Sequence, residues 1–400
     1  MTSVRICGLA TAACVSLAAV AMSTEPRAVI AQRQVASLNW SLTGLRSATI
    51  LAPILTGCSD PSDESATRTP APLSELKIKR VAGPATGGAV LDVGEVGQFD
   101  AEWTTCPTVH RDGGVYLMWY SALYDANMKQ GGIGLATSRN GIRWERAKAG
   151  QPLLEPSAGG SLDNGQVFAP EVLHDGQRYL MWYTGMPIER HDSGIGYCRV
   201  FLATSRDGMN WRRANAGKPV LDLGPLGSSD SVQAATPSVL RHGDGYRMWY
   251  AAWSPELGHT ICVARSKDAV AWQRENGGRP VLGLEPDYAY GPAVTRRGDQ
   301  YIMLYMGTAH SLFGAVSLDG FHWKMLNDGQ PVLQSGGRGA FDDAVVGHPF
   351  LAVEANKMRI WYTGYRQEPG GAGPWKLRIG LAEAELPRSE ELEPANPPRR

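Results

Sequence analysis

The chain has 400 residues with 39 basic and 39 acidic side chains, so its formal charge is zero and its pI is about 7.1. A basic stripe or a high pI would indicate nucleic-acid binding, and neither is present. The 47 glycines and 12 tryptophans favour an all-β protein with many tight turns and aromatic strands. We therefore expect no nucleic-acid partner.

Residues 1–58 have the pattern of an export leader. Basic Arg5 precedes the apolar residues 6–20, and small residues follow, as in a secretory signal peptide. A second apolar stretch, residues 48–55, runs into Leu-Thr-Gly-Cys and resembles a bacterial lipobox in which Cys58 is lipidated and anchors the protein to a membrane. The alternative is a chance cysteine within a leader. Both leaders predict an extracytoplasmic protein that is secreted, periplasmic or lipid-anchored at the cell envelope.

The rest of the chain divides by composition. Residues 59–75 are rich in Ser, Asp, Pro and Thr and predict a disordered tether, and residues 387–400 predict a disordered, charged tail. The intervening residues 76–386 contain three cysteines, an odd number, and no CxxC pair. The spacing therefore signals neither a disulfide framework nor a zinc site. We expect one domain, a monomer, and no cofactor.

One pattern recurs five times between residues 76 and 386. Each copy has a proline, a β-rich stretch, a polar turn with glycine and an aromatic strand, as in "APEVLHDGQRYLMWYTG". A third strand and a hairpin follow, as in "VFLATSRDGMNWRR", and then a stretch such as "GKPVLDLG". Four strands in each repeat are the content of a propeller blade. The prolines that mark the copies are Pro107, Pro170, Pro237, Pro292 and Pro349.

The fifth copy stops after three strands. Its missing strand is found at the start of the domain, where "IKRVAGPATGGAVLDVG" matches the end of the second copy. The sequence therefore predicts an all-β, five-bladed β-propeller with four-stranded blades, whose last blade is completed by the N-terminal strand. Such closure removes exposed sheet edges. The SxDGxxW stretches resemble sialidase Asp-boxes but are one residue shorter, and we interpret them as turns with a packing tryptophan.

The longest, least regular loops should open on one face, where we expect the functional site. An aspartate lies seven residues before four of the prolines, at Asp100, Asp163, Asp230 and Asp342, and Asp287 lies five before the fourth proline. Crowded carboxyl groups have unlike pKa values, and glycosidic cleavage needs such a pair. The alternatives are that each aspartate caps a turn, or that the set binds a structural Ca²⁺ at the axis.

The candidate site residues follow from this geometry. The catalytic candidates are Asp100, Asp163 and Asp230, with Asp287 and Asp343 in reserve. Glu171 follows a repeat proline and should face the channel. Aromatic rings pack on the C–H faces of sugars, and Arg and His side chains bond hydroxyls. The substrate-binding candidates are Glu171, Trp103, Trp253, Tyr290, His310, His348 and Arg366.

The repeats resemble the five-bladed glycoside hydrolases, which include arabinanases, β-xylosidases, invertases, levansucrases and mannoside phosphorylases. "FAPEV" at residues 168–172 is similar to their WAP(D/E)V stretch. Their acids before the first and third prolines are replaced by Cys106 and Thr236, and their Glu-Gly-Pro is replaced by a sequence beginning at Tyr290. The family's catalytic acids therefore do not map onto this chain.

Two functions remain open from the sequence. The resemblance implies an exported glycoside hydrolase that cleaves an extracellular glycan, and here the loop aspartates would supply the carboxylate pair. The missing family acids favour a non-catalytic propeller that binds carbohydrate or another surface. A sialidase is a weaker third hypothesis, because no arginine triad stands at equivalent repeat positions.

Overall fold

The computed structural model of the chain describes residues 73–123, 131–283, 288–367 and 375–387. The leader with Cys58, residues 59–72 of the tether, Asp287 and residues 388–400 of the tail lie outside them, so these predictions stay predictions. The described chain is all-β, with twenty strands and six short 3-10 turns. No helix in the described ranges has the length and apolarity needed to cross a membrane.

The strands come in groups of four, which we number in chain order. The first group is β2 Trp103–Asp112, β3 Val115–Leu123, β4 Gly131–Ser138 and β5 Glu145–Arg146. The second is β6 Gln166–His174, β7 Tyr179–Met186, β8 Arg199–Ser205 and β9 Arg212–Arg213. The third is β10 Gln233–His242, β11 Gly245–Ser254, β12 Gly258–Ser266 and β13 Trp272–Arg274. The fourth is β14 Tyr290–Arg297, β15 Gln300–Met306, β16 Leu312–Ser317 and β17 Lys324–Met325.

The fifth group joins the two ends of the described chain. It contains β18 Val345–Glu354, β19 Lys357–Gln367, β20 Trp375–Glu385 and the N-terminal strand β1 Ile78–Val81. Strand β1 pairs antiparallel with β20, with Ile78 opposite Ala384. The predicted completion of the last group by the N-terminal strand is confirmed by this pairing. The 3-10 turns are Thr86–Gly88, Lys148–Gly150, Asn215–Gly217, Asn276–Gly278, Thr308–His310 and Asn327–Gly329.

Hydrogen bonding arranges the groups as three four-stranded sheets and one eight-stranded sheet. The larger sheet contains the first and fifth groups, which meet through one parallel pair, Trp103 with Leu377. The first strands β2, β6, β10, β14 and β18 each contact the first strand of the next group, and β18 contacts β2. These five strands therefore form a closed ring, with the apolar core between neighbouring groups.

Tryptophans link one group to the next. The carbonyl oxygen of Gly208, in the turn before β9, accepts indole N–H bonds from Trp211 at 3.0 Å and from Trp119 of the first group at 2.8 Å. A carbonyl has two lone pairs, so both bonds are satisfied. The same double acceptor occurs at Ala269 for Trp272 and Trp182, at Gly320 for Trp323 and Trp249, and at Gly141 for Trp144 and Trp361. The packing role predicted for the tryptophans of the SxDGxxW turns is confirmed, since Trp144, Trp211, Trp272 and Trp323 pack against the core clusters.

Candidate functional site

The repeated loop aspartates are buried in ion pairs. Asp163 is 0% exposed, and its Oδ2 accepts hydrogen bonds from Tyr183 Oη at 3.0 Å and Arg213 Nε at 2.9 Å. Each arginine lies on the outermost strand of its group, so the aspartate ties the preceding loop to the second and fourth strands. The equivalent sets are Asp100 with Tyr120 and Arg146, Asp230 with Tyr250 and Arg274, and Asp342 with Tyr362 and Arg80.

The loops are shaped to close over these carboxylates. A Cβ added to Gly336 would lie 2.3 Å from Asp342 Oδ1, and one added to Gly94 would lie 2.0 Å from Asp100 Oδ1. The backbone N–H of each of these glycines also bonds the carbonyl of its aspartate. Buried, paired carboxylates enclosed by backbone favour the structural alternative over the catalytic role predicted for Asp100, Asp163 and Asp230. That catalytic role stays a prediction.

A small cavity of about 30 Å³ lies where the five first strands meet. It is lined by the repeat prolines and by the residue that precedes each of them, namely Cys106, Ala169, Thr236, Gly291 and His348. Every one of these residues has a positive φ, between 44° and 60°, at a β-bulge that accommodates the proline. Of the loop aspartates that the structure describes, Asp100, Asp163, Asp230 and Asp342, none lines the cavity, whose volume is enough to hold water.

Glu171 is the one acidic side chain among the described residues that line this cavity. It is 7% exposed, and its Oε1 accepts the backbone N–H of Val239 in the next group at 3.1 Å. Burial raises the pKa of Glu171 to about 8, although the bonds to Val239 and Thr108 oppose the shift. At neutral pH the group is therefore a protonated acid beside the axial cavity, and its substrate-binding role stays a prediction.

This raised pKa makes stability depend on pH. Between the ordinary glutamate pKa and about 8, the unfolded chain is ionised at Glu171 while the folded chain keeps its proton. The unfolded state then binds fewer protons, so stability falls as pH rises through this window. We expect Glu171→Gln to flatten the decline and to be more stable than wild type at pH 8, by on the order of a few kcal/mol.

Urea unfolding of both proteins at pH 5 and pH 8 measures this difference. Exposed Glu145 on β5 offers the control, because Glu145→Gln should follow the wild-type pH dependence. Equal slopes for Glu171→Gln and wild type would contradict the assignment of a neutral Glu171.

Seven aromatic and imidazole rings form a continuous strip that begins on the face carrying the connections between second and third strands and runs inward, where Tyr290 and His348 are buried. Neighbouring ring centroids lie 5.0–6.3 Å apart. The strip starts in the β7–β8 connection, crosses the third and fourth groups and ends at the axial cavity. Its members are Tyr197, His191, Trp253, His259, Tyr288, Tyr290 and His348, and we call this set the aromatic strip.

Part of the aromatic strip lies on the adjacent strands β11 and β12, beside Gln233 of β10. Register pairs Gln233 with Trp253 and Trp253 with His259, so the three side chains share one face of the third group. Burial lowers the pKa of His259 to about 4, which leaves a neutral imidazole at physiological pH. Gln233 Oε1 and His259 Nδ1 are buried polar atoms with no hydrogen-bond partner among the described residues. Both atoms can therefore accept a hydrogen bond from a water molecule or a ligand.

The strip brings together three of the predicted substrate-binding residues, Trp253, Tyr290 and His348. Trp103 instead packs in a core cluster and donates its indole N–H to Trp375 O at 3.0 Å. His310 belongs to the 3-10 turn before β16, where burial lowers its pKa. Arg366, the remaining substrate-binding candidate, donates from Nη1 to the carbonyl oxygen of Gly339. Asp343, a reserve catalytic candidate, accepts the backbone N–H of the same Gly339 with Oδ2.

His191, Tyr197 and His259 are not among the site residues predicted from the sequence. Their signal was available in part, because His259 lies six residues after Trp253, across a hairpin that turns at residues 255–257. No group of three or more His, Cys, Asp or Glu side chains within the described ranges is arranged to hold a metal ion. The axial Ca²⁺ stays a prediction.

Comparison with known sequences gives distant relatives. No protein-family profile matches the chain. Two uncharacterized proteins of Mycobacterium tuberculosis, from strains CDC 1551 and H37Rv, are each 25% identical over 226 residues, which are 54% of this chain and 72% of theirs.

Comparison with solved structures gives the fold. A glycoside hydrolase superposes with a TM-score of 0.61 and 19% identity, covering 80% of this chain and 96% of its own. A thermostable family-43 glycoside hydrolase gives 0.54 and 18%, covering 80% and 98%. A structure from the GH130 family of mannoside phosphorylases and glycoside hydrolases gives 0.55 and 17%, covering 78% and 94%. The chain therefore has the β-propeller fold of these glycoside hydrolases, as its repeats predicted.

Proposed function

We propose that this chain is a five-bladed propeller that binds carbohydrate on the aromatic strip without cleaving it. The closed ring of five first strands supports the blade count, with the eight-stranded sheet interpreted as two blades that touch at Trp103 and Leu377. An extracellular glycan fits the export leader predicted for residues 1–58. The function so proposed is the carbohydrate-binding alternative from the sequence.

The aromatic strip is the observation that carries this proposal. Trp253 is only partly buried and stands between His191 and His259, so one edge of a large apolar surface reaches solvent beside polar imidazoles. Sugar rings have apolar C–H faces and polar hydroxyl edges, and this combination matches both. Aromatic side chains with polar partners are also the usual centres of binding energy.

The absence of cleavage rests on the carboxyl groups. Hydrolysis by the usual route needs two carboxyl groups about 5–9.5 Å apart across the scissile bond. In the described part of the chain, the axial cavity has Glu171 alone, and the loop aspartates are enclosed in ion pairs. The family's acid positions before the first and third prolines hold Cys106 and Thr236.

A glycoside hydrolase is the second candidate, and the raised pKa of Glu171 is the observation that favours it. A carboxyl group protonated at neutral pH is suited to act as the general acid that protonates a leaving oxygen. Glu285 and Asp287 stand just before Tyr288 in the sequence and lie outside the described residues. One of them would then supply the base or nucleophile.

Replacing Trp253, the tryptophan in the middle of the aromatic strip, with alanine tests the proposal. We expect Trp253→Ala to weaken glycan binding tenfold or more, because it removes the stacking surface. Calorimetric titration against arabinan, xylan, mannan, levan and pectin oligosaccharides measures the affinity, and a reducing-sugar assay on the same samples measures cleavage. Trp272→Ala, on the turn side of the same group, is the matched control and should bind as wild type does.

Two results would overturn this proposal. Binding that is unchanged in Trp253→Ala would remove the aromatic strip from the site. Release of reducing sugar by the wild type, lost in Glu171→Gln, would establish the hydrolase instead.

A further inference from the structure

Arg190 has an unusual environment beside the aromatic strip. It lies in the β7–β8 connection directly before His191, whose ring is 5.7 Å from that of Trp253. Its Nη1 donates to three backbone carbonyl oxygens of its own loop, those of Pro187 at 2.7 Å, Ile188 at 3.2 Å and Glu189 at 3.4 Å. These bonds hold the guanidinium in one orientation.

Arg190 makes no ion pair within the described residues, and the carboxylate that acts on its charge is that of its exposed neighbour Glu189. By contrast, Arg199 at the start of β8 is paired with Asp222 at 2.7 Å, and the half-buried Arg213 and Arg274 are paired with loop aspartates. Arg190 is also half-buried, yet no carboxylate of the described chain lies within ion-pair distance of it. Burial lowers the pKa of Arg190, but an arginine side chain stays protonated at neutral pH.

A fixed, partly desolvated guanidinium is prepared to bind an anion. Its planar fork matches the two oxygens of a carboxylate or sulfate, and bonds between charged partners are about twice as strong as neutral ones. Since Nη1 is bonded to the loop, Nε and Nη2 remain for a ligand. Cys198, whose thiol lies within range of the Arg190 charge, accepts a bond from Gln233 Nε2 at 3.4 Å. Through Cys198, Arg190 is therefore close to Gln233, which lies beside Trp253 on the same face of the third group.

We propose that Arg190 recognises an anionic substituent, a carboxylate or a sulfate, on the glycan whose ring stacks on Trp253. This inference rests on the proposed carbohydrate-binding function and narrows its ligand to acidic glycans. A uronic acid residue supplies the carboxylate in one case, and an ester sulfate supplies the anion in the other.

A matched set of glycans tests the inference on the full chain. Oligogalacturonides with free carboxylates, the same oligosaccharides as methyl esters, and sulfated carrageenan oligosaccharides are titrated by calorimetry at 50 and 500 mM NaCl. We expect one of the two anionic ligands to bind at least tenfold more tightly than the ester, with a preference that shrinks at high salt. Arg190→Gln should abolish the preference for the anionic ligand over the ester.

The controls separate this inference from the function on which it rests. Arg139→Gln changes the net charge equally in an exposed turn on the other face and should keep the preference. Thermal unfolding of Arg190→Gln checks that the chain is folded. Equal binding of acidic and neutral glycans, or a preference that survives in Arg190→Gln, would overturn the inference while the carbohydrate-binding function stands. Failure to bind any glycan of either panel would overturn the function itself.

Discussion

Replacing Asp163 with alanine is expected to destabilise the chain by about 3 kcal/mol, as loss of one partner from a buried ion pair does. The carboxylate is fully buried and bonded to Tyr183 and Arg213. Its removal leaves a buried phenol and a guanidinium without their acceptor. The Arg213 side chain is 26% exposed, so water replaces part of the loss and the effect stays at the lower end of the usual range. Urea unfolding followed by tryptophan fluorescence measures the change.

Asp163→Ala also separates the structural and catalytic hypotheses for the loop aspartates. Exposed Asp244, in the β10–β11 turn, gives the control, because Asp244→Ala should change stability by less than about 0.5 kcal/mol. A variant that keeps wild-type stability but loses a measurable hydrolytic activity would show that Asp163 is catalytic and that the ion pair contributes little.

Truncating Trp361 to alanine is expected to cost about 3–5 kcal/mol. The side chain is fully buried between the fifth and first groups, its ring packs on Tyr116 and Trp144, and its indole N–H bonds Gly141 O at 3.1 Å. The change removes both the packing and the link between these groups. Denaturant unfolding measures the cost.

A graded series checks that this cost comes from the link between groups. Trp361→Phe keeps most of the volume and loses the hydrogen bond, so it should cost less than Trp361→Ala. Trp144 bonds the same carbonyl but is only half-buried, and its replacement by alanine should also cost less. If Trp361→Ala lowered the free energy of unfolding no more than Trp144→Ala does, the closed ring of five strands would not depend on the contact made by Trp361.

Much of the fold was predictable because each repeat carries its own strand and turn signals. The match between residues 78–94 and the end of the second copy predicted which strand completes the fifth group, and β1 pairs with β20 accordingly. The sheet count was less predictable. Whether neighbouring groups share a backbone bridge depends on their approach at the axis, and one pair, Trp103 with Leu377, merges two groups into a single sheet.

The sequence also held a signal for the buried ion pairs. Each paired aspartate has a tyrosine twenty residues later. In the first three groups the last strand ends in arginine, and in the fifth group Arg80 of β1 takes that place. The fourth group has methionine there, Met325, which lies 3.6 Å from Tyr305 Oη, and Asp287 does not stand at the repeat spacing. The groups that have an aspartate at the repeat spacing are therefore the groups that have an arginine on the outermost strand, as expected for an ion pair.

The aromatic strip was harder to predict because it violates the repeat. His191 and Tyr197 lie in an irregular connection with no counterpart in the other copies, and His259 is the second residue of β12, just after the turn that follows Trp253. Their contact depends on how neighbouring groups twist against each other. The spacing of residues within one copy predicts its strands and turns, but it does not predict how neighbouring groups are oriented relative to each other.

The pairing of β1 with β20 has a consequence for synthesis on the ribosome. Ile78 and Leu381 are 303 residues apart, and both belong to this pair of strands. At about 5–20 residues per second, the first strand to be translated waits roughly 15–60 s for its partner. Throughout that time, the nascent chain has an unpaired N-terminal strand and an incomplete ring. A ribosome that stalls before residue 375 would release a chain with two open sheet edges, and such edges invite pairing between molecules.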